Sequence, residues 1–382
     1  MTPGVETPEI GRDTLDLPET PTLWGRVFPA RRSALGLRAS SAPALPFILI
    51  GMLLGPGALG VLTPGIVTRL DPIVSIALAA LGIFVGLGIA TAEPGERTRL
   101  YGAALVEVLL TIAVVGAGVY ALLHSWQLPV APNPLLFAAV AGICASASAA
   151  VRIEGAGHAA RASRIADFDD APLVVLGTIA VAVCGSRPVG SGLAVVAGAS
   201  LLAGTAGLML FERARSEAER GAFVAGIVAL LGGIGAYTGT SPLAAGAIAA
   251  LVWAWSPGRA DRIIASDFRR LQHPLVALLL VIAGASVQWD LRLLWIAAPL
   301  VLLRHIGKVL ASIAGARMTG VPPGLAATVL LPPGVLGVAV ALNVQQALST
   351  SDLLLVSGVT VATAVSELVS VVLPAAATDE DS

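Results

Sequence analysis

Asp167-Phe168-Asp169-Asp170-Ala171-Pro172-Leu173-Val174-Val175-Leu176 places three carboxylates at the head of an apolar run. Apolar sequence runs on from Ala171 to Cys184, about 14 residues, whereas a helix that crosses the hydrocarbon of a bilayer needs about 20. Arg164 and Arg187 are the next arginines outward, so a span must use roughly the residues between them. That puts Asp169 and Asp170 roughly one to two helical turns below the surface. Carboxylates at that depth cost several kcal/mol each unless they are paired, protonated or bound to a cation. A chain that accepts this cost reads as a transporter built around it.

The composition agrees. Of 382 residues, 56% are hydrophobic and 12% charged, with a mean hydropathy of +0.87. A soluble protein carries about 25% charged residues, so the expected class is an all-α polytopic membrane protein. The net charge of −1 gives no case for nucleic acid. Cys144 and Cys184 both fall in apolar runs and read as small hydrophobes rather than a disulfide framework. Residues 1–40 hold no short apolar run with a cleavage site. They begin acidic (Glu6, Glu9, Asp13, Asp16, Glu19) and turn basic (Arg26, Arg31, Arg32, Arg38), as expected of a disordered cytoplasmic tail ending on an anionic membrane surface.

Apolar runs separated by charged or Pro/Gly-rich breaks give twelve expected spans: 43–62, 72–91, 100–123, 134–152, 165–186, 190–211, 220–237, 241–255, 273–289, 293–315, 324–346 and 352–374. The transmembrane domain is thus 41–376, followed by a short cytoplasmic tail, 377–382. Arginine placement tests the count. With the N-terminus inside, the outside loops hold Arg69, Arg187 and Arg292, and the inside segments hold eighteen arginines. The positive-inside rule is obeyed, with both termini cytoplasmic in a plasma or inner membrane.

Two basic residues, Arg304 and Lys308, lie within span 293–315, and Lys308 is the single lysine of the chain. A lone mid-span lysine points to a need for an amine, whose pKa moves on burial, where arginine stays charged. Two spans read as broken helices. One contains Gly142-Ile143-Cys144-Ala145-Ser146-Ala147-Ser148-Ala149, the other Leu331-Pro332-Pro333-Gly334-Val335-Leu336-Gly337. Tandem prolines remove hydrogen-bond donors, and irregular backbone at membrane depth survives only buried in protein or lining a cavity. The breaks lie seven spans apart, so those spans run in opposite directions, as in the inverted repeats of secondary transporters. The aspartates follow the first break and the lysine precedes the second, which brings opposite charges to one midplane site.

At these residues the chain resembles the monovalent cation:proton antiporter superfamily. Gly51-Met52-Leu53-Leu54-Gly55-Pro56-Gly57-Ala58-Leu59-Gly60 is similar to its first-helix signature, and Leu81-Gly82-Ile83-Phe84-Val85-Gly86-Leu87 to its second. Asp169-Asp170 matches the paired acid of the fifth helix, and Gly307-Lys308 the basic residue of the tenth. The resemblance covers residues 43–374. It implies a homodimeric exchanger of Na⁺ or K⁺ for H⁺, with a dimerisation bundle, a six-helix core, and unwound fourth and eleventh helices crossing beside the acids. It implies that Asp170 binds the cation or proton and that Asp169 pairs with Lys308, the electrogenic Asp-Asp/Lys type. No cofactor beyond the transported ions is implied, and lipid is the surrounding partner. Many relatives carry Thr-Asp in the broken fourth helix, where this chain has Ser146 and Ser148.

Further candidates are weighed on their own chemistry. Asp167 precedes Asp170 by three residues and reads either as a helix N-cap or as the binding acid in another register. Glu107 and Glu367 are mid-span acids that read as functional or as protonated structural carboxyls. Ser146, Ser148 and Asn343 offer oxygens to a cation, although small hydroxylated residues also pack helices closely. An intramembrane aspartyl protease needs acids that face each other from different helices, which adjacent residues cannot do. A sodium-coupled symporter of a small organic solute on the same fold is the competing transport reading.

Overall fold

The computed structural model describes residues 44–90, 97–130, 133–149, 157–185, 187–255, 260–348 and 353–372. The expected tails, 1–40 and 377–382, lie outside them. The described residues form fifteen α-helices and no strand. In order they are α1 Ala44–Leu54, α2 Pro64–Arg69, α3 Asp71–Ala90, α4 Arg97–Trp126, α5 Pro134–Ala145, α6 His158–Phe168, α7 Asp170–Cys184 and α8 Val189–Arg213. There follow α9 Glu217–Thr238, α10 Pro242–Trp255, α11 Ala260–Ala285, α12 Leu291–Thr319, α13 Pro323–Leu330, α14 Val335–Leu348 and α15 Leu354–Val372.

Each expected span has its helix or helix pair. Stretches of α3, α4, α8, α9 and α12 are long and apolar enough to cross a membrane unaided. The shorter apolar helices have local causes. Span 43–62 stops at Leu54, because Gly55-Pro56-Gly57 leads into a turn in which Gly60 takes φ +66°. Span 241–255, the shortest expected, is a helix of its own, started by Ser241, whose Oγ accepts from the Ala244 N–H. Span 165–186 is α6 and α7 joined end to end through Asp169. Asp169 keeps helical angles (φ −67°, ψ −21°), its N–H reaches Ile165 and its carbonyl accepts from Leu173. Pro172 brings no N–H back to Phe168, which is why the helix falters there.

Two packed groups result. Helices α3, α8, α9 and α10 bury Ala79, Ile83, Val196, Ile227, Leu231 and Trp253 among themselves, and the Trp253 indole donates to the Gly204 carbonyl at 2.8 Å. The second group, α4–α7 and α12–α15, surrounds the two breaks. In it α4 and α12 run antiparallel, with Gly307 against Thr111 and Gly118 against Leu303. Glycines of the two N-terminal motifs mark close backbone approaches. A Cβ at Gly51 would lie 2.2 Å from the Val281 carbonyl oxygen, and one at Gly82 would lie 1.9 Å from that of Leu243.

Candidate functional site: a buried charge cluster at a helix crossing

The site begins with the two breaks. Helix α5 stops at Ala145 and α13 at Leu330; Ser146 and Leu331 keep helical angles, and the chain leaves the helix after them. The segments cross antiparallel in a bridge between Ser148 and Pro333. Gly334 N–H donates to the Ala147 carbonyl at 3.1 Å, and Ala149 N–H donates to that of Pro332 at 2.9 Å. A Cβ at Gly334 would stand 2.4 Å from the Ser148 carbonyl oxygen, so the crossing distance itself requires glycine. Pro332, Pro333 and Gly334 therefore form a joint between two spans, not merely a kink in one.

The C-terminal ends of α5 and α13 at this crossing carry unpaired carbonyls and partial negative charge. Two buried cations one helical turn apart on α12 answer them. Arg304 donates to the carbonyls of Leu331 at 2.6 Å, Ala147 at 2.8 Å and Pro332 at 3.4 Å, and so holds both breaks at once. Lys308, fully buried, donates to the Ser146 carbonyl, to Ser148 Oγ at 2.6 Å and to Glu107 Oε1 at 2.5 Å. Asp169 Oδ2 lies 3.7 Å from the same ammonium.

This geometry revises several expectations. The nearest counter-charge of Lys308 is Glu107 of α4, with Asp169 second. Ser146 turns its hydroxyl back onto the Ile143 carbonyl at 2.8 Å, so its backbone oxygen faces the lysine. Asp167 is no N-cap. It lies inside α6 and is exposed, outside the buried cluster. Glu367 accepts from the Leu45 N–H at 2.8 Å and so caps the start of α1, away from the crossing. Asn343 bonds Ser241 at 2.7 Å, near the far end of α14. Asp170, half-buried, opens α7 directly beside fully buried Asp169. Arg304 was not expected as a site residue. The signal for it was its depth, since every other arginine lies outside the expected spans or at their ends.

Two features give the cluster its chemistry. Counting Asp170, three carboxylates (Glu107, Asp169, Asp170) face two cations (Arg304, Lys308), one net negative charge when all are ionised. Among the described residues, Glu107 Oε2 and both carboxylate oxygens of Asp169 are buried without a hydrogen-bond partner. Such oxygens are costly unless a proton or cation meets them. The small cavity beside the crossing, lined by Ala147, Arg304, Pro333 and Gly334 among others, measures about 10 Å³, space for roughly one water-sized species.

No protein-family model matches the sequence, and no curated protein matches it. Among solved structures, that of the sodium proton antiporter MjNhaP1 from Methanocaldococcus jannaschii at pH 8 is similar at a TM-score of 0.60. The match has 17% sequence identity and covers 86% of this chain and 92% of that chain. The chain therefore has the sodium/proton antiporter fold, an all-helical membrane fold with two broken spans crossing at its centre.

Proposed function

We propose that the protein exchanges a monovalent cation, Na⁺ or K⁺, for protons across a membrane by alternating access, as a homodimer. Asp170 is the acid that takes cation and proton in turn, and Asp169, Glu107 and Lys308 set the field around it. The observation that carries this reading is the charge count at the crossing. One net negative charge is neutralised by one proton or by one monovalent cation, and not by both. A cation needs the ionised carboxylate that a proton would occupy, so the two compete. The antiporter fold supports the same reading.

Two further features support a sidedness. Arg164 and Asp167, on the C-terminal half of α6, are exposed just before Asp170. Towards the other end, α7 and α14 close on each other through Leu173, Val174, Val181, Val340 and Val344, all buried in one cluster. Combined with the arginine distribution, this supports an inward-facing arrangement with Asp170 near the cytoplasmic side.

The test is the purified protein in liposomes loaded with a pH-sensitive dye. Na⁺, K⁺ or Li⁺ added on one side should drive protons to that side, with no organic solute present. Internal pH indifferent to all three ions contradicts the proposal.

A further inference from the structure

A second polar cavity lies at the opposite end of α14 from the crossing. It measures about 190 Å³ and is lined by the start of α3 (Asp71, Ser75), the α9–α10 turn (Gly239, Thr240) and Asn343 and Gln346 of α14. Asp71 and Gln346 also line a larger neighbouring cavity of about 850 Å³, with Thr68, Ser286 and Gln288 in its walls. Asp71 is the one carboxylate among the residues lining either cavity, and no lysine or arginine lines them. The lining is a set of oxygens. Ser75 Oγ donates to the Asp71 carbonyl at 3.0 Å and approaches Gln346 Oε1 at 3.3 Å, while Gln346 Nε2 donates to the Asp71 carbonyl at 3.2 Å.

Asn343 gives the independent sign that a ligand belongs there. It is 1% exposed. Its Nδ2 donates to Ser241 Oγ at 2.7 Å, the same oxygen that caps α10, and this fixes the amide with Oδ1 turned away from Ser241. That Oδ1 is buried and has no hydrogen-bond partner among the described residues. A buried amide oxygen left unmatched costs about 1–3 kcal/mol unless something positive meets it. One carboxylate with neutral amide, hydroxyl and carbonyl oxygens suits a weakly held monovalent cation. A divalent ion asks for more anionic ligands.

We infer that the Asp71–Asn343–Gln346 cavity is a second, low-affinity site for a hydrated monovalent cation, in series with Asp170. This rests on the exchange reading for the identity of the ion, though not for its binding. Asn343 lies eight residues after Val335, about 12 Å along α14 from the crossing, and the apolar α7–α14 interface separates the two sites. A way-station of this kind must bind weakly enough to release the ion inward when that interface opens.

The experiment is equilibrium binding of ²²Na⁺ and ⁸⁶Rb⁺ to the purified full-length D170N variant, in which the exchange site is disabled. D170N should keep saturable, low-affinity binding of at least one ion. Adding D71N or, separately, N343L should weaken it by about tenfold or more, with D71E restoring part of it. Gel-filtration profile and Tm in detergent show that each variant is folded, and N343L serves if D71N is not. The inference is overturned if D170N binds neither ion, or if the D71N and N343L changes leave its binding unaltered. Absence of exchange in the wild-type protein would overturn the exchange reading alone, because this binding is measured without transport.

Discussion

The two broken spans meet at one point, yet their sequences share almost nothing. Between α13 and α14, Pro332 and Pro333 carry no N–H, so the carbonyls of Thr328 and Val329 lose their helical donors through covalent structure alone. Between α5 and α6 there is no proline. Alanines and serines there are compatible with a helix, and the chain leaves it only where Lys308 takes the Ser146 carbonyl and Arg304 and Gly334 take that of Ala147. One break is written into its own residues and the other is made by its neighbours. The first needs no charge to exist. The second ties the shape of the site to its charge state, which is what a carrier that changes shape on binding an ion requires.

Changes to the neighbours should therefore damage the α5 break most, and thermal unfolding in detergent ranks them. Lys308→Met removes the cation that faces both Glu107 and Asp169 and should cost about 3–5 kcal/mol. Next comes Glu107→Gln, which deletes the shorter ion pair and should cost about 2–3 kcal/mol. Asp169→Asn, whose oxygen lies 3.7 Å from Nζ, should cost less. Equal losses for these two acids would put the lysine midway between them. Arg304→Met takes the donor from the Leu331 carbonyl, while those of Ala147 and Pro332 keep a backbone N–H each, so about 1–3 kcal/mol is expected. Ser148→Ala, which loses one bond to Lys308, should cost about 1 kcal/mol. A larger loss for Ser148→Ala than for Arg304→Met would mean that the hydroxyl, not the guanidinium, holds the crossing.

What the sequence disclosed follows the same division. Spans could be located because hydrophobic length and arginine placement are properties of neighbouring residues. The α13–α14 break was legible because proline acts on its own helix. The depth of Asp169 and Asp170, and the oddity of a lone mid-span lysine, were legible for the same reason. Pairing was not. Glu107 and Lys308 are 201 residues apart, and no spacing rule says that α4 packs against α12 with this register. Ser146 was expected to offer its hydroxyl and instead offers its carbonyl, since side-chain rotamers depend on what fills the space around them. Glu367 looked like a buried acid in search of a role, and its partner is the first turn of α1, at the other end of the sequence. The shortening of the first span could have been read from Gly55-Pro56-Gly57.

The central claim is that cation and proton contend for one carboxylate, Asp170. Its most direct test is the apparent KM for the driving cation, measured in proteoliposomes across about three pH units, with Asp170→Asn as the inactive control. Below the pKa of the site KM should fall about tenfold for each unit of rising pH, because each unit frees ten times more carboxylate, and above it KM should level off. A KM that stays constant over the whole range, or Asp170→Asn protein that exchanges as fast as the wild type, would contradict the account.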